Sequence, residues 1–544
     1  MKKKNLVYKI TLAAGLMLGL SACTKLDQEV YSVIPNQNFW RTPEQIAAGI
    51  APAYASLTQI PSGEFQNLQE HSSDEMLAPA RGNDWLGAGQ HIEMWTHTWT
   101  AETEAVVNTW PDLYSGIGKI NFILSIVNSL DPAPPNLDNI NAELKILRAL
   151  YYYWALDLYG NVPLVTDFAT NPNTVTNTPR VQVFNFVEKE VKDNINLVSP
   201  DVSLSTYGRV TKWMAFSLLA KLYLNAEIYT GTARWSDARA MCDSVILSGK
   251  YSLMSNFYDN FSQNNEGSKE NIFVVPFDNV NIGGNNYQAQ TLHYQSNINF
   301  GLSSGAWNGY CSNAEFYSNY DTTSVYTVRG QNTYRTFLDQ RSGQYLIGQQ
   351  FAERYSYPPN SNVLVASTNE ALKIKDAQTG RFLSFYANIK EVNNPTDTFR
   401  LAGLRNIKYF PNPGILTSQS NDVPIFRLAD ILLMRAEASV RMGGLSATDL
   451  GYVNMLRERA YSGDASHNWS LADVTLTHLL AERARELAWE NHRRQDCIRF
   501  GTFGNARVPA KNADPGRYLE IFPIPKAEHA ANPNLVQNPG YPAF

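Results

Sequence analysis

Two segments of the chain, far apart in sequence, have the same pattern. KWMAFSLLAKLYLNAEIYTGTARWSDARAMCDSVILSG spans 212–249, and FRLADILLMRAEASVRMGGLSATDLGYVNMLRERAYSG spans 426–463. Each has an Ala- and Leu-rich helical stretch, a Gly-containing turn and a second helix of similar length. A helix whose apolar residues recur every three to four positions must bury that stripe against a neighbour. Paired helices of this kind point to a mostly α protein built from packed helical hairpins. Further helical patterns support this. One begins at the cap Thr42-Pro43-Glu44 and runs through Ile46, Ile50, Tyr54 and Leu57. Others are expected over 103–130, 138–159, 181–198, 209–230, 235–248, 424–442, 447–461, 471–480 and 478–494. Between 250 and 410 the periodicity fades and Gly, Asn and Ser become frequent. Loops, short helices and a few small strands are expected there. The Pro- and Asn-rich stretch from Arg507 to Phe544 reads as an extended tail over the body.

The N-terminus reads as an export signal. Lys2, Lys3, Lys4 and Lys9 precede an apolar run from Ile10 to Leu20. That run is shorter than the roughly 20 apolar residues a membrane-crossing helix needs, and it suits the core of a secretory signal. Leu20-Ser21-Ala22-Cys23 then looks like a bacterial lipobox, in which Cys23 would carry the lipid and become the first mature residue. The expected organisation is a signal over 1–22, a lipid-anchored tether over 23–41, a helical region over 42–250, a loop-rich region over 251–410 and a second helical region with the tail over 411–544. Loss of the signal removes four lysines and no acid, taking the formal charge from −5 to about −9. A nucleic-acid partner would want a basic face, so that class is set aside. Charged residues are 17% and aromatics 12%, which suits neutral, hydroxyl-rich ligands. Cys242, Cys311 and Cys497 are far apart and odd in number. A disulfide framework or a Cys-based zinc site is not expected, although a single bridge between two of them stays open.

Several motifs invite a catalytic reading. Gly301-Leu302-Ser303-Ser304-Gly305 fits G-x-S-x-G, but the flanking strand and helix that a nucleophile elbow needs are not evident. Glu486 and Glu490 could be imagined as a glycosidase pair. Their neighbours Arg483, Arg485, Arg493 and Arg494 favour a salt-bridged structural helix instead. The histidines show no metal-ligand spacing, there is no phosphate-binding glycine loop, and no cofactor is called for. Aromatic loops are more informative. Residues 84–99 hold Asp84, Trp85, Trp95 and Trp99 among glycines, and residues 300–320 hold Trp307 and Tyr310 beside Asn308. A sugar ring offers an apolar face of C–H groups and a rim of hydroxyls. An aromatic platform covers the face, and nearby Asp or Asn takes the hydroxyls. Trp85, Trp307, Tyr310, Asp84 and Asn308 are therefore candidate ligand-binding residues.

Five segments together resemble the SusD/RagB family of Bacteroidota surface lipoproteins: RALYYYWALDLYGNVPLVTD (148–167), GRVTKWMAFSLLAKLYL (208–224), DVPIFRLADILLMRAEA (422–438), ERARELAWENHRRQDCIRFG (482–501) and PIPKAEHAANPNLVQNPGY (523–541). The resemblance implies tetratricopeptide-like hairpins as scaffold, with an irregular, loop-rich half carrying the ligand. It implies a non-enzymatic glycan receptor, lipid-anchored in the outer membrane and facing the cell exterior, which delivers oligosaccharide to a SusC-like TonB-dependent transporter. It also brings in the Ser-Asp stretch after the first helix, so Asp74 and the following Arg81 join the candidates. The alternatives are a surface glycoside hydrolase and a peptide-capturing relative.

Overall fold

The computed structural model describes residues 39–393 and 400–544. The export signal, Cys23 and the tether up to residue 38 lie outside the described residues. The expected helices are present, and two short ones, α2 and α11, were not expected. The helices are α1 (Pro43–Ala55), α2 (Gln90–Thr96), α3 (Glu104–Ser129), α4 (Leu137–Tyr159), α5 (Arg180–Asn194), α6 (Lys212–Leu224), α7 (Trp235–Ile246), α8 (Leu428–Arg441), α9 (Ala447–Ala460), α10 (Leu476–Leu487) and α11 (Arg493–Arg499). Helix α1 starts where its cap sequence predicts. The Thr42 hydroxyl accepts from Gln45 N, and the Gln45 side chain accepts from Thr42 N.

Helix α4 is buried on nearly every side from Ile140 to Tyr159, which explains its density of Leu, Tyr and Trp. Its single arginine, Arg148, is neutralised by Glu190 of α5 and also donates to Asn121 of α3. The two similar segments fold as the hairpins α6–α7 and α8–α9, and α7 packs on α8, so the hairpins stack side by side. Ion pairs tie the stack together. Lys221 of α6 meets Asp430 of α8 at 2.8 Å, and Arg435 of α8 joins Asp243 of α7 at 2.6 Å.

Three expectations change. The helix expected from 424 starts at Leu428, because 423–427 form strand β5 (Val423–Arg427), paired antiparallel to β1 (Asn271–Val275). The pattern expected over 209–230 breaks at Asn225, whose side chain donates to Lys221 O, and a one-turn helix follows at Ala226–Thr230. The pattern expected to reach 494 stops at Leu487. Trp489 and Asn491 then adopt positive φ, both 62°, and Glu490 leaves the helix face it would have shared with Glu482 and Glu486.

Between β1 and β5 the chain is irregular, as expected. Its regular part is an antiparallel sheet of β2 (Ser324–Arg329), β3 (Asn332–Phe337) and β4 (Val363–Ser367), in the order β2-β3-β4. One apolar cluster runs from Trp40 to Leu535 and includes residues on both sides of positions 250 and 410. Cys242, Cys311 and Cys497 are all buried and free, so the bridge left open by the sequence is not formed. The tail is mostly extended, as expected, with short helical turns at Arg517–Glu520 and Lys526–Ala531.

Candidate functional site

Two loops, each held by its own backbone hydrogen bonds, meet at a tryptophan. In the first, Arg81 N donates to Asp84 O at 2.9 Å around Gly82, whose φ of 73° suits glycine. The second runs from 305 to 310 and is laced to 289–292. Trp307 N donates to Ala289 O (2.7 Å), Asn308 N to Leu292 O (2.8 Å) and Gly309 N to Gln290 O (2.8 Å). The loops join where the Trp85 indole N–H donates to Trp307 O at 2.6 Å. The Trp85 ring lies on the backbone of Gly309, where a Cβ would come within 2.2 Å of the ring. Only glycine allows that approach. Behind the indole stand His91 and Tyr310, each with its ring centre 5.2 Å from that of Trp85.

The surface above this junction has an apolar and a polar part. Trp307 is 38% exposed and Leu86 42%, while Trp85 is half-buried. Beside them the exposed Asp84 accepts a 2.6 Å bond from the Tyr294 hydroxyl. Burial, together with the bond to Asp84, pushes the Tyr294 phenol up to about 12, so it remains a donor at neutral pH. The Arg400 guanidinium lies 4.2 Å from the Tyr294 ring centre and donates to Asp376. Exposed Tyr386 flanks the same region through its bridge to Ala402.

A model of the SusD family matches residues 269–541. The chain belongs to the SusD family. A second model, described as starch-binding associating with outer membrane, matches residues 26–224. Starch-binding protein SusD of Bacteroides thetaiotaomicron is 25% identical over 501 residues, covering 87% of this chain and 85% of that protein. SusD-like protein P2 of Formosa agariphila is 25% identical over 557 residues, covering 98% and 99%. Among solved structures, a laminarin binding SusD-like protein superposes with a TM-score of 0.65 at 23% identity, over 92% of this chain and 100% of that one. Surface glycan-binding protein A from Bacteroides thetaiotaomicron in complex with laminarihexaose gives 0.65 at 19% identity, over 91% and 99%. The two structural likenesses establish the fold. In this SusD-family chain the 81–86 loop falls in the first matched stretch and 289–310 in the second, so the junction links the two.

The structure separates the predicted site residues. Trp307, Trp85 and Asp84 come together at the surface, Arg81, Asn308 and Tyr310 are buried, and Asp74 is partly exposed and held by Arg493. Arg81 is fully buried, donating to Ala402 O (2.5 Å) and Gly309 O (3.1 Å). Asn308 is fully buried with φ 59°. Its oxygen accepts from Arg405 and its amide donates to Arg400 O. Tyr310 is 4% exposed and packs edge-on to His71. The Asp74 carboxylate is gripped by Arg493 at 2.6 and 2.8 Å. Burial opposes ionisation there, but Arg493 holds the carboxyl below its usual range. Arg81, Asn308 and Tyr310 lie buried under the loops with no free face, which corrects the expectation for them, whereas a quarter of the Asp74 side chain stays exposed beside Arg493. Tyr294 and Tyr386 were missed. Tyr294 sits in a Gln- and Asn-rich stretch, and only its contact with Asp84, 210 residues away, singles it out.

The catalytic alternatives lose their geometry. Glu486 is fully buried between Arg341, Arg427 and Arg459, and Glu490 between Arg427 and Lys408. Burial favours protonation of both, yet the surrounding cations hold both carboxyls below the ordinary range. Neither can donate a proton to a leaving group. Ser303 follows a helical turn, Asn297–Phe300, with no strand before it, so it lacks the setting of a nucleophile elbow. Among the described residues no group of His, Cys, Asp and Glu is placed to hold a metal ion. Among them, too, no helix is long and apolar enough to cross a membrane.

Proposed function

We propose that this SusD-family protein is a cell-surface glycan receptor, tethered to the outer membrane through lipid on Cys23, that passes captured oligosaccharide to a SusC-like TonB-dependent transporter without acting on it chemically. The observation that carries this reading is the surface formed by Trp307, Trp85, Asp84 and Tyr294. Indole offers a flat apolar area to the C–H face of a sugar. Asp84 and the Tyr294 hydroxyl stand beside it to exchange hydrogen bonds with ring hydroxyls, and a charged acceptor makes the stronger bond. Trp85 is fixed by its bond to Trp307 O and by Gly309, so little side-chain freedom is lost on binding. The named ligands of related proteins, starch and laminarin, support the sugar class.

Affinity electrophoresis through gels containing starch, laminarin and a wider polysaccharide panel tests the reading. At least one glycan should retard the protein. Trp307→Ala should weaken that retardation roughly tenfold, about 1.4 kcal/mol, and Gly309→Ala should do the same by displacing Trp85. Unchanged retardation in both variants would overturn the site. Sustained release of new reducing ends would overturn the non-catalytic role. Cys23→Ala should abolish incorporation of labelled palmitate, and retained label would remove the anchor assignment.

A further inference from the structure

A concave site lies away from the loop junction and shares no residue with it. It is a cavity of about 400 Å³ between α3, the 163–175 segment and the tail helix Lys526–Ala531. Its wall is apolar, formed by Trp110, Tyr114, Ile117, Val165, Phe168 and Leu535. Trp110 and Tyr114 stack within that wall, ring centres 4.9 Å apart. Phe168 and Phe122 pair at the same spacing nearby and are exposed by 54% and 45%. Cavities of this size with few polar groups are typical small-molecule sites.

The polar groups narrow the ligand class. Two of the three amides in the lining are already engaged: Asn121 donates to Val165 O, and Asn532 donates to Pro172 O and Val175 O, which leaves the Asn173 side chain as the remaining amide. The Tyr114 hydroxyl donates to Pro163 O. Of the two ionisable carboxyls in the lining, Asp167 accepts from Ala169 N. Glu528 is half-buried, and its side chain has no hydrogen bond or ion pair among the described residues. Burial alone pushes its carboxyl up, as expected for a charge that lacks a counter-ion. No Lys, Arg or His lines the cavity. An aromatic wall beside an unpaired carboxylate favours a cation, through the ring faces and the ion pair together.

We propose that this cavity binds a small apolar organic cation, an ammonium group on an aryl or alkyl body, with the nitrogen paired to Glu528 and the hydrocarbon against Trp110 and Tyr114. Isothermal titration with 2-phenylethylamine and its neutral isostere 2-phenylethanol tests this. The amine should bind at least tenfold more tightly than the alcohol at neutral pH and low salt. Glu528→Gln, on a surface helix, should reduce that preference to within about twofold. Ser115→Trp, at an exposed lining position on α3, should close the cavity and abolish binding of both. Melting curves matching the wild type confirm that the variants fold. Absence of amine binding, a preference that survives Glu528→Gln, or binding that survives Ser115→Trp in the folded protein each overturns the proposal.

Discussion

Burying a carboxylate has opposite consequences at different positions in this molecule. Glu482 and Glu486 face several arginines, and their carboxyls stay ionised despite burial. Glu75 is equally buried, yet burial pushes it up to about 8, with Arg493 and Lys408 only partly opposing the shift. Its work is local. It accepts the Trp489 N–H, while Glu70 accepts that of His492 at 3.1 Å. The two carboxyls thereby hold the turn in which Trp489 and Asn491 take left-handed backbone, a conformation uncommon outside glycine. The nearby arginines made it legible that Glu486 is structural, but its actual partners, Arg341, Arg427 and Arg459, lie 27 to 145 positions away. Nothing local signals Glu75, whose hydrogen-bond donor, the Trp489 backbone N–H, lies 414 positions away. A carboxyl whose folded pKa is raised contributes its full stability below the unfolded value, near 4.5, and loses it as pH rises towards 8. Glu75→Gln keeps an acceptor for Trp489 and removes the charge. Its stability relative to wild type should therefore rise by up to about 1.4 kcal/mol per pH unit between those values. Denaturant melts at pH 4.5, 6 and 8 measure this, and a difference that does not change with pH would rule it out.

At the level of elements, helix existence was readable and helix boundaries less so. The sheer density of apolar residues located α4, and apolar spacing located α3, α7 and α9, each of which buries a stripe that its own sequence displays. It mistook β5 for the start of α8, because Val423, Ile425 and Phe426 satisfy either period. The partner that decides, β1, lies about 150 residues earlier. The hairpin α8–α9 shows how one residue can secure an element twice. Ser446 caps α9 by accepting from Asp449 N, and the Asp449 carboxylate accepts from Ser446 N (2.8 Å) and from its hydroxyl (2.6 Å). The same carboxylate pairs with Arg435 and accepts from Ser439 on α8. Ser446→Ala removes only part of the cap and should cost about 1 kcal/mol. Asp449→Ala also leaves the buried Arg435 short of a partner and should cost about 3 kcal/mol or more. Urea denaturation of the two variants ranks them, and equal losses would show that the ion pair contributes nothing beyond the cap.

Across the whole molecule, the proposed ligand surface was legible in Trp85, Trp307 and Asp84 but not in what holds them. Trp85 and Trp307 could be picked out from their Gly and Asn neighbours. The bracing of their loops by Arg81, Asn308 and Arg405 depends on contacts that span more than 90 residues, and local pattern carries no trace of them. The tail raises the same issue for stability. Its prolines lower the entropy lost on fixing an extended strap, and the structure shows what the strap covers. Phe522 and Ile524 are fully buried and Leu535 nearly so. Phe522 N donates to Leu158 O at 2.7 Å, and the Asn538 amide donates to Tyr159 O at 2.7 Å, closing the C-terminal end of α4. The Tyr541 hydroxyl receives the Trp99 indole N–H at 2.7 Å. Burying three large apolar side chains is worth roughly 5–9 kcal/mol, comparable with the roughly 5–15 kcal/mol that stabilises a typical folded protein. A chain ending at Glu520 should therefore lose cooperative melting by circular dichroism and become sensitive to limited proteolysis. A chain ending at Tyr541 keeps every one of these contacts and should melt within about 2 °C of the full chain, since about 1 kcal/mol shifts a large protein by only a few degrees. A cooperative transition in the shorter chain would mean that the helical hairpins fold without their strap, and that the tail's burial follows folding and does not drive it.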